Sequence, residues 1–202
     1  IEHIPSNMEK YYPANYYSFQ SENKKEIKLN YFKTLQFNQI SGYKKTLPGA
    51  IVSYKYTSEI YNWFKFLQVS KKESNILDIG CGQGELLKDL FVVGFQKLTG
   101  IDPYIEKDIR YNQSLHVYKK EVFDVREKYD LVMMHHSFEH MADQPEVLNK
   151  IHQILNQEGK LLIRIPVISN PLIEKYGMDM VSLDAPRHFF IHTIKNVTNT
   201  FL

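Results

Sequence analysis

Apolar positions fall along the chain in two spacings. Short, compact apolar runs occupy residues 76–79 (Ile76, Leu77 and Ile79, broken only by Asp78), 97–102, 115–119, 129–134 and 160–166. Runs this short and continuous predict strands buried on both faces of a parallel sheet. Between them the spacing changes to threes and fours. Leu86, Leu87, Leu90 and Val93 predict a helix closed by Gly94. Val147, Leu148, Ile151, Ile154 and Leu155 predict another, opened near Pro145 and stopped by Gly159. Upstream, Tyr56, Ile60, Trp63 or Phe64, and Leu67 predict a helix over 53–69, after a turn at Leu47-Pro48-Gly49. Strands alternating with helices predict an α/β fold: an open, Rossmann-like, mostly parallel sheet with helices on both faces.

The ends are less periodic. Residues 1–20 carry Tyr11-Tyr12-Pro13 and Tyr16-Tyr17-Ser18-Phe19 without a clear period, which fits an aromatic arm packed outside the domain or a flap over its active site. A short helix is expected over 27–39 and another from Thr193 to Leu202. The division is therefore an N-terminal arm or cap, 1–52, and a main domain, 53–202.

Composition narrows the class. A chain of 202 residues is most simply one domain, able to bury roughly 70% of its unfolded surface. A formal net charge of +2, with Lys and Arg scattered among acids, offers no groove for nucleic acid and no patch for anionic membrane. Cys81 is the single cysteine, so no internal disulfide forms, and a reducing, cytoplasmic setting is expected. No apolar run approaches the ~20 residues that span a bilayer, and the given sequence opens with no signal-peptide pattern. The first residue is Ile, so the start reads as a fragment or a processed end.

The chemistry gathers at residues 75–85, Asn-Ile-Leu-Asp-Ile-Gly-Cys-Gly-Gln-Gly-Glu. Strand, glycine turn and helix in that order make a nucleotide-type cradle, because missing Cβ atoms let a ligand lie against main chain and helix N-terminus. A dinucleotide turn needs G-x-G-x-x-G. Counted from Gly80, the third position of that pattern is Glu85, whose carboxylate would repel a pyrophosphate. The residues Asp78-Ile-Gly80-Cys81-Gly82-Gln-Gly84 instead resemble motif I of the class I S-adenosylmethionine-dependent methyltransferases, D/E-x-G-x-G-x-G, with every fixed position filled. The resemblance implies S-adenosylmethionine as cofactor and S-adenosylhomocysteine as product. It places Asp78, Gly80, Cys81, Gly82 and Gly84 at the cofactor.

Asp102, followed by Pro103, ends the second strand about two dozen residues after the turn begins, close to the ~20 expected of a ribose-binding acid. Glu121 and Asp124, after the third strand, are candidates for the adenine amino group, and His135, closing the fourth, is placed on the cofactor side. The stretch His135-His136-Ser137-Phe138-Glu139-His140 resembles the family's Glu-His turn after strand four; Glu158-Gly159 replaces a common pair of glycines. Asp184-Ala185-Pro186-Arg187-His188 resembles the Asp-x-Pro-Arg-His segment of a bacterial subgroup acting on sugars and secondary metabolites. Class I members usually continue with two more strands. The resemblance thus implies a C-terminally truncated domain, whose unpaired sheet edge would favour a homodimer.

Methyl transfer to a hydroxyl requires alignment and removal of a proton, and a positioned His suits the second task at neutral pH. His140, His136 and His188 are the candidates, with His188 able to approach from the other side of the cleft. His136 and His140, four apart with Glu139 between, have a spacing that would suit a metal on a helix, but no third ligand is evident and none is expected. The place after strand four lacks the Asp/Asn-Pro-Pro-aromatic turn of nucleobase amino-methyltransferases, and Cys81 lies in the glycine loop rather than near a target base. The expectation is O-methylation of a small-molecule or sugar-containing acceptor. A non-catalytic cofactor-binding scaffold and a nicotinamide-dependent oxidoreductase are the rivals.

Overall fold

The computed structural model describes residues 7–13, 27–55, 58–177, 183–184 and 186–201. Tyr16, Tyr17 and Phe19 of the aromatic arm, Tyr56 of the expected helix face, Ala185 and Leu202 lie outside them. A short 3-10 turn, Met8–Tyr11, comes first. Helices α1 (Tyr31–Ser41), α2 (Leu47–Lys55) and α3 (Glu59–Leu67) precede strand β1 (Ile76–Ile79). Then follow α4 (Glu85–Val92), β2 (Leu98–Ile101), β3 (Ile109–Arg110), β4 (Leu115–Tyr118) and β5 (Tyr129–His135). Helix α5 (Gln144–Ile154), β6 (Leu155–Arg164), β7 (Val167–Ile168), α6 (Asn170–Tyr176), β8 (His192–Thr193) and α7 (Ile194–Phe201) complete the described chain.

Six strands form one sheet in the order β3-β4-β2-β1-β5-β6, and β7 pairs with β8 separately. All pairings in the large sheet are parallel except β3 with β4. Strand alternation sends Ile76, Leu131 and Met133 into a core shared with α1, α3 and α4, and Leu77, Ile79, Val132 and Met134 into one shared with α5. Phe37 is the hub of the first core. It is fully buried, and the rings of Tyr43, Tyr61, Phe64 and Phe95 lie 5.1–5.6 Å from it. Such pairs contribute roughly 0.5–1.5 kcal/mol each beyond their area. The mixed, mostly parallel architecture expected from the sequence is the one observed.

Register positions the site. Ile79 pairs with Ile101 on one side and with Met134 on the other, so β1, β2 and β5 end together. The chain order reverses across β1, and open sheets bind ligands at the carboxyl ends beside such a reversal.

Four local expectations are corrected. Leu47-Pro48-Gly49 is the first turn of α2, where a missing proline N–H costs nothing. The expected helix over 53–69 is two helices, α2 ending at Lys55 and α3 starting after an extended Ser58. The helix expected over 27–39 starts later, at Tyr31, because Asn30 caps it by accepting from Lys33 N–H at 3.0 Å. Helix α5 stops at Ile154, before Gly159, with Lys128 Nζ donating to the Gln153 carbonyl at 2.6 Å. Leu155 already pairs with Tyr129, and the next pair is Leu131 with Lys160, so 156–159 loop out as an irregularity within β6. Among the described residues no helix is long and apolar enough to cross a membrane.

Candidate active site

The loops after β1, β2 and β5 enclose a cavity of about 600 Å³, within the range of small-molecule sites. Gly80, Gly82 and Gly84 all have positive φ (73°, 54° and 76°), which a side chain resists. At Gly80 a Cβ would lie 2.4 Å from Ser137 Cβ. Ser137 Oγ donates to the Ile79 carbonyl at 2.7 Å and so clamps the β5 loop to the glycine turn.

Asp78 sits in β1 beneath this turn and lines the cavity. It is 3% exposed, and its Oδ1 is buried with no hydrogen-bond partner among the described residues. Burial, reinforced by the Asp102 charge, pushes its carboxyl up to about 8. Asp102 is differently held. Its Oδ2 accepts from Gly82 N–H and its Oδ1 from Tyr104 N–H, both at 2.9 Å. Burial raises its pKa while those two N–H groups pull it down. The acid at the tip of β2 thereby fixes the shape of the glycine turn.

Pro103, Glu121 and Cys81 also line the cavity. Glu121 is shifted upward by burial and by the charges of Asp124 and Asp102. Burial holds the Cys81 thiol well above its ordinary value, which makes it an inert wall rather than a nucleophile. His135 lines the cavity, stacks on Trp63 at 5.0 Å, and has both ring nitrogens buried without a hydrogen bond among the described residues. Burial, with Arg164 and His136 nearby, lowers its pKa to about 4, so it is a neutral imidazole.

Three further histidines gather around the turn after β5. The turn Phe138–His140 is braced by the buried Gln144, whose Nε2 donates to the Phe138 carbonyl at 2.9 Å. His136 and His140 line the cavity. His140 Nδ1 lies 2.8 Å from the Arg187 carbonyl; a carbonyl only accepts, so Nδ1 carries the proton and Nε2 the lone pair. Desolvation lowers the His140 pKa against that hydrogen bond. His188 arrives from the distant segment, its ring 4.7 Å from that of His140. That segment is docked by main chain, with Phe189 N–H donating to the Glu139 carbonyl at 2.9 Å. Met8 and Tyr12 close one side of the cavity, and Tyr12 stacks on Tyr104 at 4.2 Å.

Of the residues expected at the site, Asp78, Gly80, Cys81, Asp102, Pro103, Glu121, His135, His136 and His140 line the cavity. Gly82 shapes its rim through Asp102, and His188 stands behind His140. Gly84 and Asp124 do not line it. A Cβ on Gly84 would meet Val117 Cγ2 at 2.9 Å, so this glycine seats α4 against β4 instead. Sequence reasoning passed over Ser137, Tyr104, Gln144 and Gly100. Gly100 had a signal, being a glycine inside a strand; a Cβ there would stand 2.5 Å from Cys81 Sγ.

A family profile described as "Methyltransferase domain" matches residues 54–201. The chain belongs to this methyltransferase family. A curated relative, malonyl-acyl-carrier protein O-methyltransferase 1 of Ilyobacter polytropus, is 29% identical over 106 residues. The match covers 48% of this methyltransferase-family chain and 39% of the relative, so the chain spans well under half of that relative's length. The YcgJ protein of Bacillus subtilis superposes with a TM-score of 0.52 at 15% identity, over 68% of this chain and 63% of the other, a likeness of fold. The plantazolicin methyltransferase BpumL, solved with S-adenosylhomocysteine, has a TM-score of 0.48 at 18% identity over 84% of this chain and 62% of its own.

Proposed function

We propose that this chain is an S-adenosylmethionine-dependent methyltransferase acting on a hydroxyl of a small-molecule or sugar-containing acceptor. The observation that carries the reading is the pair of carboxyls flanking the glycine turn. Asp78 presents a buried, unpartnered oxygen to the cavity, and Asp102 stands at the tip of β2. A buried carboxyl without a partner demands a cation or a donor. A carboxylate at such a strand tip takes a ribose diol. S-adenosylmethionine carries the ammonium and the ribose, and supplies a methyl on a sulfonium that departs as a neutral thioether.

The chain's own residues have separable tasks. Asp78 holds the ammonium and Asp102 the two ribose hydroxyls. Glu121, on the same wall, accepts from the adenine amino group. Pro103 and Tyr104 bound the ribose side, and neutral His135 offers ring nitrogens that lack hydrogen-bond partners among the described residues. His140, which lines the same cavity with His136 and has the His188 ring beside it, activates the acceptor hydroxyl. An oxygen acceptor is supported by the curated relative, itself an O-methyltransferase. Glu85, at the first position of α4, argues against a pyrophosphate-bearing nicotinamide cofactor.

Calorimetry with S-adenosylmethionine, S-adenosylhomocysteine and NAD(H), followed by transfer of labelled methyl to a panel of hydroxylated small molecules and nucleotide sugars, tests the proposal. Binding of the first two ligands only, with label on an acceptor oxygen, is the expected result. NAD(H) binding without S-adenosylmethionine binding overturns it. Tight binding with no transfer to any acceptor favours a cofactor-binding scaffold.

A further inference from the structure

The Glu139 carboxylate is the most anomalous polar group in the described chain outside the glycine turn. It is 0% exposed, and neither Oε1 nor Oε2 has a hydrogen-bond partner among the described residues. Three imidazoles surround it. His136 Nδ1 lies 3.5 Å from Oε1 and His188 Nε2 lies 4.0 Å from it, while one ligand atom from each of Glu139, His140 and His188 falls within 4.8 Å of the others. These separations are too long for ion-pair hydrogen bonds, which close to about 2.7–2.9 Å. They approach the spacing of ligands around a common ion. Two donors about 2.1 Å from a tetrahedral zinc stand roughly 3.4 Å apart, so a contraction of up to about 1.4 Å from the 4.8 Å limit would close the set.

We propose that Glu139, His140 and His188 form a two-histidine, one-carboxylate site for a divalent first-row transition ion on the acceptor wall of the cavity. Imidazole and carboxylate donors suit zinc and its neighbours rather than magnesium or calcium, which seek all-oxygen shells. The support behind the ligands is of the kind such sites use. His140 donates Nδ1–H to the Arg187 carbonyl, which fixes its tautomer and leaves Nε2 to bind. Asp184 Oδ1 takes Arg187 Nη2 at 2.6 Å, offsetting the nearby cation, and its Oδ2 stands 3.8 Å from His188 Nε2, on the ligand side of that ring. His136 Nδ1 lies 3.5 Å from Glu139 Oε1 but falls outside the set of mutually close ligand atoms. The third ligand that sequence spacing could not supply comes from the docked segment 186–190, through the bond of Phe189 N–H to the Glu139 carbonyl.

Of the three ligands His140 alone lines the cavity, so an ion there would meet an acceptor on the His140 side. An acceptor hydroxyl bound to it would lose its proton to solvent far more readily, as zinc-bound water does when its pKa falls from 15.7 to about 7. This role rests on the methyltransferase reading; the binding of the ion does not. His140 would then act through its metal bond, and its lone pair would not itself accept the proton.

The test uses the full chain, stripped with dipicolinate and titrated with Zn²⁺ against a chromophoric chelator, and with Co²⁺ followed by visible absorption. One equivalent bound at submicromolar Kd, with cobalt bands of a four- or five-coordinate site, is expected. Glu139→Gln and His188→Asn should each weaken Zn²⁺ at least ~10-fold, and His152→Ala, on the outer face of α5, should not. Thermal melts without metal check that each variant folds, and the wild-type cobalt spectrum needs no variant. Absence of a stoichiometric ion, or equal affinity in wild type and both ligand variants, overturns the inference. S-adenosylmethionine calorimetry in the same preparations separates the two ideas: cofactor binding without metal defeats only this inference, and metal binding without cofactor defeats only the proposed function.

Discussion

Replacing Asp78 by Asn should stabilise the ligand-free protein, increasingly so as pH rises. In the folded chain burial lifts this carboxyl from 3.8 to about 8. Between those limits the native state holds a proton that the unfolded chain has released. Stability from this group is therefore fully present below pH 3.8 and lost as pH climbs to about 8. One extra bound proton gives a limiting slope of about 1.4 kcal/mol per pH unit. From pH 5 to pH 8 that is roughly 4 kcal/mol for a dry site, and water entering the adjoining cavity should halve it to ~2 kcal/mol. Glu139, raised by burial to about 7, also loses stability as pH rises, whereas His135, lowered from 6.5 to about 4, gains it as pH rises between those two values. Only the difference between variant and wild type isolates Asp78. Urea unfolding at pH 5 and pH 8 should show Asp78→Asn gaining ~2 kcal/mol on wild type across that interval, or about 1 M in midpoint for a typical slope of ~2 kcal/mol/M. Parallel curves, constant in difference to within about 0.5 kcal/mol, would refute the buried-carboxyl argument. The same acid makes S-adenosylmethionine binding release a proton near pH 7, which calorimetry in buffers of different ionisation heat reads directly. Asp78→Asn should abolish that release and most of the affinity.

Three further outcomes follow from the geometry. Gly82→Val forces a branched residue to φ 54° and Asp102→Ala removes the acceptor for Gly82 N–H; each should cut cofactor affinity severely while far-ultraviolet dichroism stays unchanged. His140→Ala should slow methyl transfer by ~10²–10⁴-fold with little change in cofactor Kd; a loss of only a few-fold would make alignment sufficient for the rate. Gly100→Ala should cost ~1–3 kcal/mol, since its Cβ would meet Cys81 Sγ at 2.5 Å and Leu87 Cδ1 at 2.9 Å. Adding Cys81→Ala should recover part of that loss in denaturant melts, and strict additivity would show the contact to be irrelevant.

The central fold was legible because the strands are nearly pure apolar runs whose ends carry the glycines and acids. Ile76–Ile79 with its glycine turn, and Tyr129–His135 with its histidines, stand almost where the patterns placed them. Boundaries failed where side chains from elsewhere decided them. Lys128 ends α5 from another loop, and Asn30 sets the start of α1 within a segment whose period is weak. Two-residue strands such as β3, β7 and β8 have no readable period at all. At the site, the family pattern located Asp78 and Asp102. The environment that raises Asp78, the hydrogen bond of His140 to the Arg187 carbonyl 47 residues on, and the meeting of the His140 and His188 rings are tertiary facts. No spacing along the chain encodes them.

The docking of the 186–190 segment on the Phe138–His140 turn runs through backbone atoms, Phe189 and Phe190 N–H to one carbonyl and the Arg187 carbonyl to one imidazole. Bonds of that kind do not depend on the identity of the side chains at 189 and 190, whereas Arg187 and His188 are also held through their side chains. Phe189 is the member of the pair that lines the cavity, and it is buried, so a change there must refill the volume it leaves. Reshaping the cavity for a bulkier or more polar acceptor then centres on one side chain carried on a main-chain clasp.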